Sequence, residues 1–154
     1  MPCGPHLVSH ARKVDFHMTE SEAWDYIESK PGWIALSTNG HDGFPHTVPI
    51  GYFVSDRSIF IGCLDKTQKV RNIERNANIS LTLESGQSMA NIKGVLIKAK
   101  AHLVRDDAER LSISQLAARQ RGVDEKDFPK SIRPGSVYIK AEPVSIISWD
   151  YGNR

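Results

Sequence analysis

IFIGCLDKTQKVRNIERN, residues 59–76, decides how this chain is read. It begins as an apolar strand that stops at Gly62 and Cys63, then turns into a short basic helix. Thr67 falls at the N-cap, where a hydroxyl can accept from a free N–H of the first turn. Lys69 sits in that turn and Lys66 just before it. A lysine at the positive end of a helix dipole is misplaced by roughly 0.3–1 kcal/mol. Free N–H groups, a hydroxyl and two ammonium groups together form a cradle for an anion. The competing reading is a solvated basic helix in which Asp65 supplies the compensating charge.

Outward from this stretch, the pattern is mostly β. Before it, WIALST (33–38) and FPHTVPIGYFV (44–54) flank the turn NGHDG, which makes a hairpin. Pro45 and Pro49 each remove a ladder donor, so the second strand belongs at an edge, at a bulge or where backbone meets a ligand. The turn 55–58 leads into the strand 59–63, and the three strands read as a meander. After the helix, NISLTLE (78–84) alternates, and IKGVLIKAKAHLV (92–104) turns Ile97, Ala99, Ala101 and Leu103 inward against Lys98, Lys100 and His102. SVYIKAEPVSIISW (136–149) is the last strand, kinked or bulged at Pro143.

Two further helices carry capping boxes. Thr19-Glu20-Ser21-Glu22 starts one, with Ala23, Trp24 and Ile27 on its apolar face and Pro31-Gly32 after its end. Asp106 and Glu109 start the other, with Leu111 and Ala118 apolar and Gly122 at C′. Six strands joined mostly by tight turns, with helices inserted rather than alternating, predict a mainly β fold: a six-stranded antiparallel barrel with helices at its ends. Residues 1–17 read as an N-terminal arm, and 18–154 as a single domain, as expected for 154 residues.

Composition excludes several classes. A net charge of +2 gives no electrostatic case for nucleic acid, and the Lys98–Lys100–His102 stripe lacks the aromatic platforms of nucleic-acid-binding sheets. No segment approaches the ~20 apolar residues of a membrane span. Cys3 and Cys63 are too few for a disulfide scaffold, which suits a reducing cytoplasm. None of the six histidines forms an i,i+4 pair on a predicted helix or has a cysteine partner at metal-site spacing, so a metal site is not expected. G-x-G-x-x-G, Walker, G-x-S-x-G and H-E-x-x-H patterns are absent. Cys63 as a nucleophile competes with Cys63 as a small buried hydrophobe. His46 as a base competes with a structural histidine. No side chain stands out as sole owner of a reaction, which fits chemistry supplied by a bound cofactor.

DGFPHTVPIGYF, the 59–86 block, IKGVLIKAKAHLV and the terminal ISWDYG, in this order, resemble the pyridoxamine 5′-phosphate oxidase-like split β-barrels, which bind flavin or deazaflavin cofactors. The resemblance covers Trp33 to Tyr151. It implies that Thr47, Val48, Pro49 and Ile50 lie along the cofactor and that backbone at Gly62 and Cys63 approaches its ring and ribityl chain. It also implies that Thr67, Gln68 and Lys69 form the phosphate turn. Many flavin-binding members have Arg-Lys where this chain has Gln68-Lys69, which would pass the second charge to Lys66, Arg71 or Lys93. Trp149 matches an aromatic position near the flavin, often contributed by the other subunit of a homodimer. The Arg-x-His-Asp-Arg segment that holds the substrate phosphate in true pyridoxamine phosphate oxidases is not found here. The SWD ending and TQKVRNIERN look like small members that use the deazaflavin coenzyme F-420. The resemblance thus implies an FMN-dependent oxidoreductase acting on a small organic substrate by hydride transfer. The alternatives are an F-420-dependent reductase and a non-enzymatic flavin or haem binder.

Overall fold

The computed structural model describes residues 16–152, so residues 1–15 of the expected arm lie outside the described residues. In chain order the elements are α1 (Glu20–Glu28), β1 (Ile34–Asn39), β2 (Pro45–Ile50), β3 (Phe53–Ser55), β4 (Ser58–Leu64), α2 (Gln68–Arg75), β5 (Asn78–Ser85), β6 (Lys93–Val104), α3 (Asp107–Gln120) and β7 (Ser136–Asp150). The N-cap half of each capping box forms: the Thr19 hydroxyl accepts from Glu22 N–H and the Asp106 carboxylate from Glu109 N–H. Gly122 follows α3 with φ +78°, the left-handed C′ geometry expected of it.

The sheet has seven strands, in the order β2-β1-β5-β6-β7-β4-β3, and every pairing is antiparallel. The expected strand 44–54 is two. β2 pairs only with β1, as an edge strand carrying Pro45 and Pro49, whereas β3 pairs with β4 at the opposite edge. The meander is therefore two separate hairpins, split at Gly51 and Tyr52.

This split dictates the curvature. Ile50 and Phe53 are three Cα–Cα steps apart, at most ~11 Å, yet they sit on opposite edges of a sheet that would be roughly 29 Å wide if flat. The sheet must curl until its edges nearly meet, which gives the barrel. Tyr52 occupies the crossing with its ring buried and its hydroxyl donating to Ile27 O.

One face of the curled sheet carries the core, including Ile34, Leu36, Ile61, Leu81, Ile97 and Ile139, all fully buried. α1 packs Ala23, Trp24 and Ile27 into it, and α2 contributes Ile73. α3 lies on the outer face over a smaller cluster in which Phe53 and Phe60 stack at 5.1 Å. β6 and β7 slip register between Lys98 and Ala99, which pair with Ser145 and Pro143, so Val144 bulges outward as Pro143 led one to expect.

Burial pushes the Tyr52 phenol far above its ordinary pKa, with Tyr26 adding to the effect, and burial likewise raises Tyr26 and Cys63. The folded protein thus keeps protons that the unfolded chain would release. That contribution to stability is complete below the unfolded pKa values, about 8.5 for Cys and 10 for Tyr, and is lost as pH rises beyond them. The urea midpoint is expected to fall steadily above about pH 9. Tyr52→Phe should start about 1 kcal/mol lower, from the lost hydrogen bond to Ile27 O, and decline less steeply. Identical alkaline slopes in the two proteins would contradict this assignment.

Candidate functional site

β4 ends against β7, with Gly62 opposite Tyr138 and Cys63 opposite Val137. A Cβ at Gly62 would lie 3.1 Å from the Tyr138 ring, so glycine makes room for that aromatic. The Cys63 thiol is raised by burial, although the Lys69 ammonium and the Thr67 hydroxyl pull it down. A thiol held protonated is no ready nucleophile, and the side chain packs against the core as a partly buried hydrophobe.

The turn into α2 differs from expectation in one bond. Thr67 has N-cap backbone angles, but its hydroxyl donates back to Leu64 O at 3.0 Å and accepts from no helix N–H. The first-turn N–H groups of α2 are left without a side-chain cap, and no acidic residue stands in that turn. Asp65 still acts electrostatically on Lys66, but its direct partner is another residue. Arg105 grips its carboxylate through Nε and Nη2 at 2.7–3.1 Å, which holds it below the usual carboxylate range. Glu74 takes the same guanidinium at 3.1 Å. Lys66 and Lys69 make no ion pair among the described residues. The helix start is thus uncapped and bears cations, and Asp65, held by Arg105, is not its dedicated counter-charge.

Gln68 points along the helix. Its amide donates to Asn72 Oδ1 at 2.8 Å, and Asn72 Nδ2 donates to Thr38 Oγ1 at 3.0 Å. Arg75 joins the chain through Asn72 Oδ1 and Asn39 O. Asn72, 1% exposed, therefore ties the cradle helix to β1. Sequence reasoning passed over it, although a polar residue between Val70 and Ile73 on a buried face, four after Gln68, was a readable signal. A cavity of about 380 Å³ between the β1–β2 turn and α2 brings Pro45 and His46 beside Gln68 and Asn72. His46 Nδ1 is buried there without a partner.

On β2, His46, Val48 and Ile50 turn inward while Thr47 and Pro49 face out. Thr47 Oγ1 shares a 2.7 Å hydrogen bond with Ser37 Oγ. In one protomer the structure therefore brings together Gly62, Cys63, Thr67, Gln68 and Lys69, with the start of β2 reaching Gln68. Lys93 and Trp149 stand elsewhere. They lie at the far end of β6 and β7, on the order of 30 Å along the strands from the Val104–Tyr138 pair beside Gly62. Lys93 is engaged there by Asp150 at 3.5 Å and by the Tyr26 ring at 5.2 Å. Trp149 packs its indole against Gly94. Among the described residues no cluster suited to a metal ion occurs, and no helix is long and apolar enough to cross a membrane.

Comparison with known proteins agrees with this architecture. A conserved hypothetical protein from Mycobacterium tuberculosis shares the fold with a TM-score of 0.77 at 24% identity, over 92% of this chain and 90% of that one. An FAD binding protein from Mycobacterium smegmatis matches with a TM-score of 0.61 at 20% identity, over 86% and 96%. An F-420 reductase matches with a TM-score of 0.59 at 15% identity, over 79% and 94%. No curated protein matches the chain. The family model described as pyridoxamine 5′-phosphate oxidase matches residues 20–150, and the chain belongs to that family.

Proposed function

We propose that the protein is an FMN-dependent oxidoreductase, a homodimer that transfers hydride to or from a small organic substrate. The observation that carries this reading is the uncapped first turn of α2, flanked by Lys66 and Lys69, which make no ion pair among the described residues. These residues fit a flavin phosphate: uncapped N–H groups and two ammonium groups stand together at one helix start. Bound there, FMN would supply the hydride chemistry. The chain's own part is to anchor the phosphate at Lys69 and the α2 start and to lay the ring against Thr47–Ile50.

The outer sheet face supports the dimer. Pro49, Ala35, Thr82, Leu96 and Ile147, the last 48% exposed, stand in one cross-strand row, with Trp33, 72% exposed, next to β1. A second copy covering this row would bring its Lys93 and Trp149 to a site that one protomer leaves without them. A free Cys63 is compatible with a cytoplasmic location. A second reading, F-420 in place of FMN, is favoured by Gln68, whose amide is committed to Asn72 and gives the turn no second fixed cation. One solved neighbour is itself an F-420 reductase.

The visible spectrum of the purified protein and titrations with FMN, F-420 and haem test these readings. Lys69→Ala is expected to weaken FMN binding by about 10–100-fold, the worth of one or two charge-assisted contacts. Lys98→Ala, exposed on the outer face of β6 three strands from Thr47, should change it less than about twofold. A colourless protein that binds none of the three would end both cofactor readings. Equal losses in the two variants would return Lys69 to a solvated role.

A further inference from the structure

A cavity of about 380 Å³ opens on the outer side of Gly62 and Cys63, between α3 and residues 129–133. Its basic members are Arg110 and Arg133, and no Asp or Glu lines it. Arg110 is 9% exposed, a depth at which an arginine is costly unless its donors are matched. The match is incomplete. Nη1 donates to Ser136 O and Oγ at 2.7 and 3.1 Å, while Nε is buried without a partner. Its one ion pair, to Asp107 at 2.7 Å, is made with a side chain 85% exposed, where solvent screens the carboxylate. Arg133 is exposed at the rim and makes no ion pair among the described residues; its carbonyl caps Ser136 N–H and Oγ–H. The Ser131 hydroxyl adds a donor, and Tyr138 lies against Gly62 as an aromatic floor.

An incompletely compensated positive wall over an aromatic floor selects a ligand with charge at one end and a flat apolar body at the other. We propose that this cavity binds a small molecule through an oxyanion, carboxylate or phosphate, held by Arg133 and Ser131 in the field of Arg110, with its planar body on Tyr138 and Gly62. Binding rests on the cavity alone. Identifying the ligand as the substrate rests on the cofactor reading above, because Gly62 and Cys63 would then be shared by both sites.

The test uses the full chain without cofactor, titrated with phenyl phosphate, benzoate and the neutral benzyl alcohol and followed by NMR shifts and tyrosine fluorescence. At least one of the two anions should bind saturably and at least about tenfold more tightly than benzyl alcohol. Arg133→Gln, a surface change, should weaken that anion about tenfold and leave FMN affinity unchanged. Lys69→Ala should leave anion binding here unchanged, which separates this cavity from the α2 cradle. Arg110→Lys keeps the charge and should retain part of the affinity. The proposal is overturned if benzyl alcohol binds as well as both anions, if neither anion saturates, or if Arg133→Gln binds like wild type. Failure of anion binding with FMN binding intact removes this inference alone. Anion binding in a protein that takes no flavin or deazaflavin removes the cofactor reading and leaves the cavity standing.

Discussion

Gly94→Ala is expected to destabilise the protein by about 2–4 kcal/mol, the range of severe overpacking, with a fall in Tm of roughly 5–15 °C for a chain of this size. The added methyl would sit 2.5 Å from Trp149 Cζ2 and 2.6 Å from Leu83 O. The indole could swing away, but the carbonyl belongs to the β5–β6 ladder, where Leu83 pairs with Val95 and Glu84 with Gly94. Relief therefore requires backbone movement in the strand with the most extensive pairing in the sheet. The effect should also be visible at Trp149, whose emission shifts to the red as its ring leaves the glycine for water. Gly32→Ala is the control, because nothing lies within 4 Å of its added methyl. If Gly94→Ala matched Gly32→Ala in Tm and emission, the packing of Trp149 on Gly94 would be refuted. Should Trp149 serve the neighbouring subunit's cofactor, the same variant would lose cofactor affinity in proportion to the red shift.

What the sequence revealed follows the range of the interactions involved. Capping boxes are written within four residues, so α1 and α3 were readable from Thr19 and Asp106, and the prolines announced the edge position of β2 and the bulge at Val144. The break at Gly51 was not readable, because Tyr52 and Phe53 continue an apolar run and only the sheet order shows that the chain crosses from one edge to the other. At the candidate site, the basic helix start was legible while its counter-charge was not. Asp65 looks like a local partner for Lys66 and Lys69 until Arg105, forty residues away, takes it. Arg110 gave no sign of burial, since an arginine on a helix reads as surface until the helix is seen to lie on the sheet. Thr67 shows the limit of local rules: its position is that of an N-cap, but a hydroxyl can donate as well as accept, and here Leu64 O receives it.

Asn72→Ala is expected to cost about 2–4 kcal/mol, because it strands several groups at once. Thr38 Oγ1, 3.0 Å from Asn72 Nδ2 and only 2% exposed, would lose its donor in a place water does not reach. Gln68 and Arg75 would lose their shared acceptor, though both can turn toward solvent. The Thr38 loss sets the stability cost, and the loosened link between α2 and β1 sets the functional one. With the proposed cradle at the first turn of α2, FMN affinity should fall in Asn72→Ala although residue 72 lies beyond that turn. Asn76→Ala removes only an exposed bond to Asn78 N–H, so it should change both quantities little. The coupling is measured by a double-mutant cycle with Thr38→Val. If the bond is the source of the effect, the second substitution costs much less in the Asn72→Ala background than in wild type. Strict additivity would mean that the two side chains contribute separately, and unchanged FMN affinity in Asn72→Ala would mean that the cradle is held by the Leu64–Thr67 turn alone.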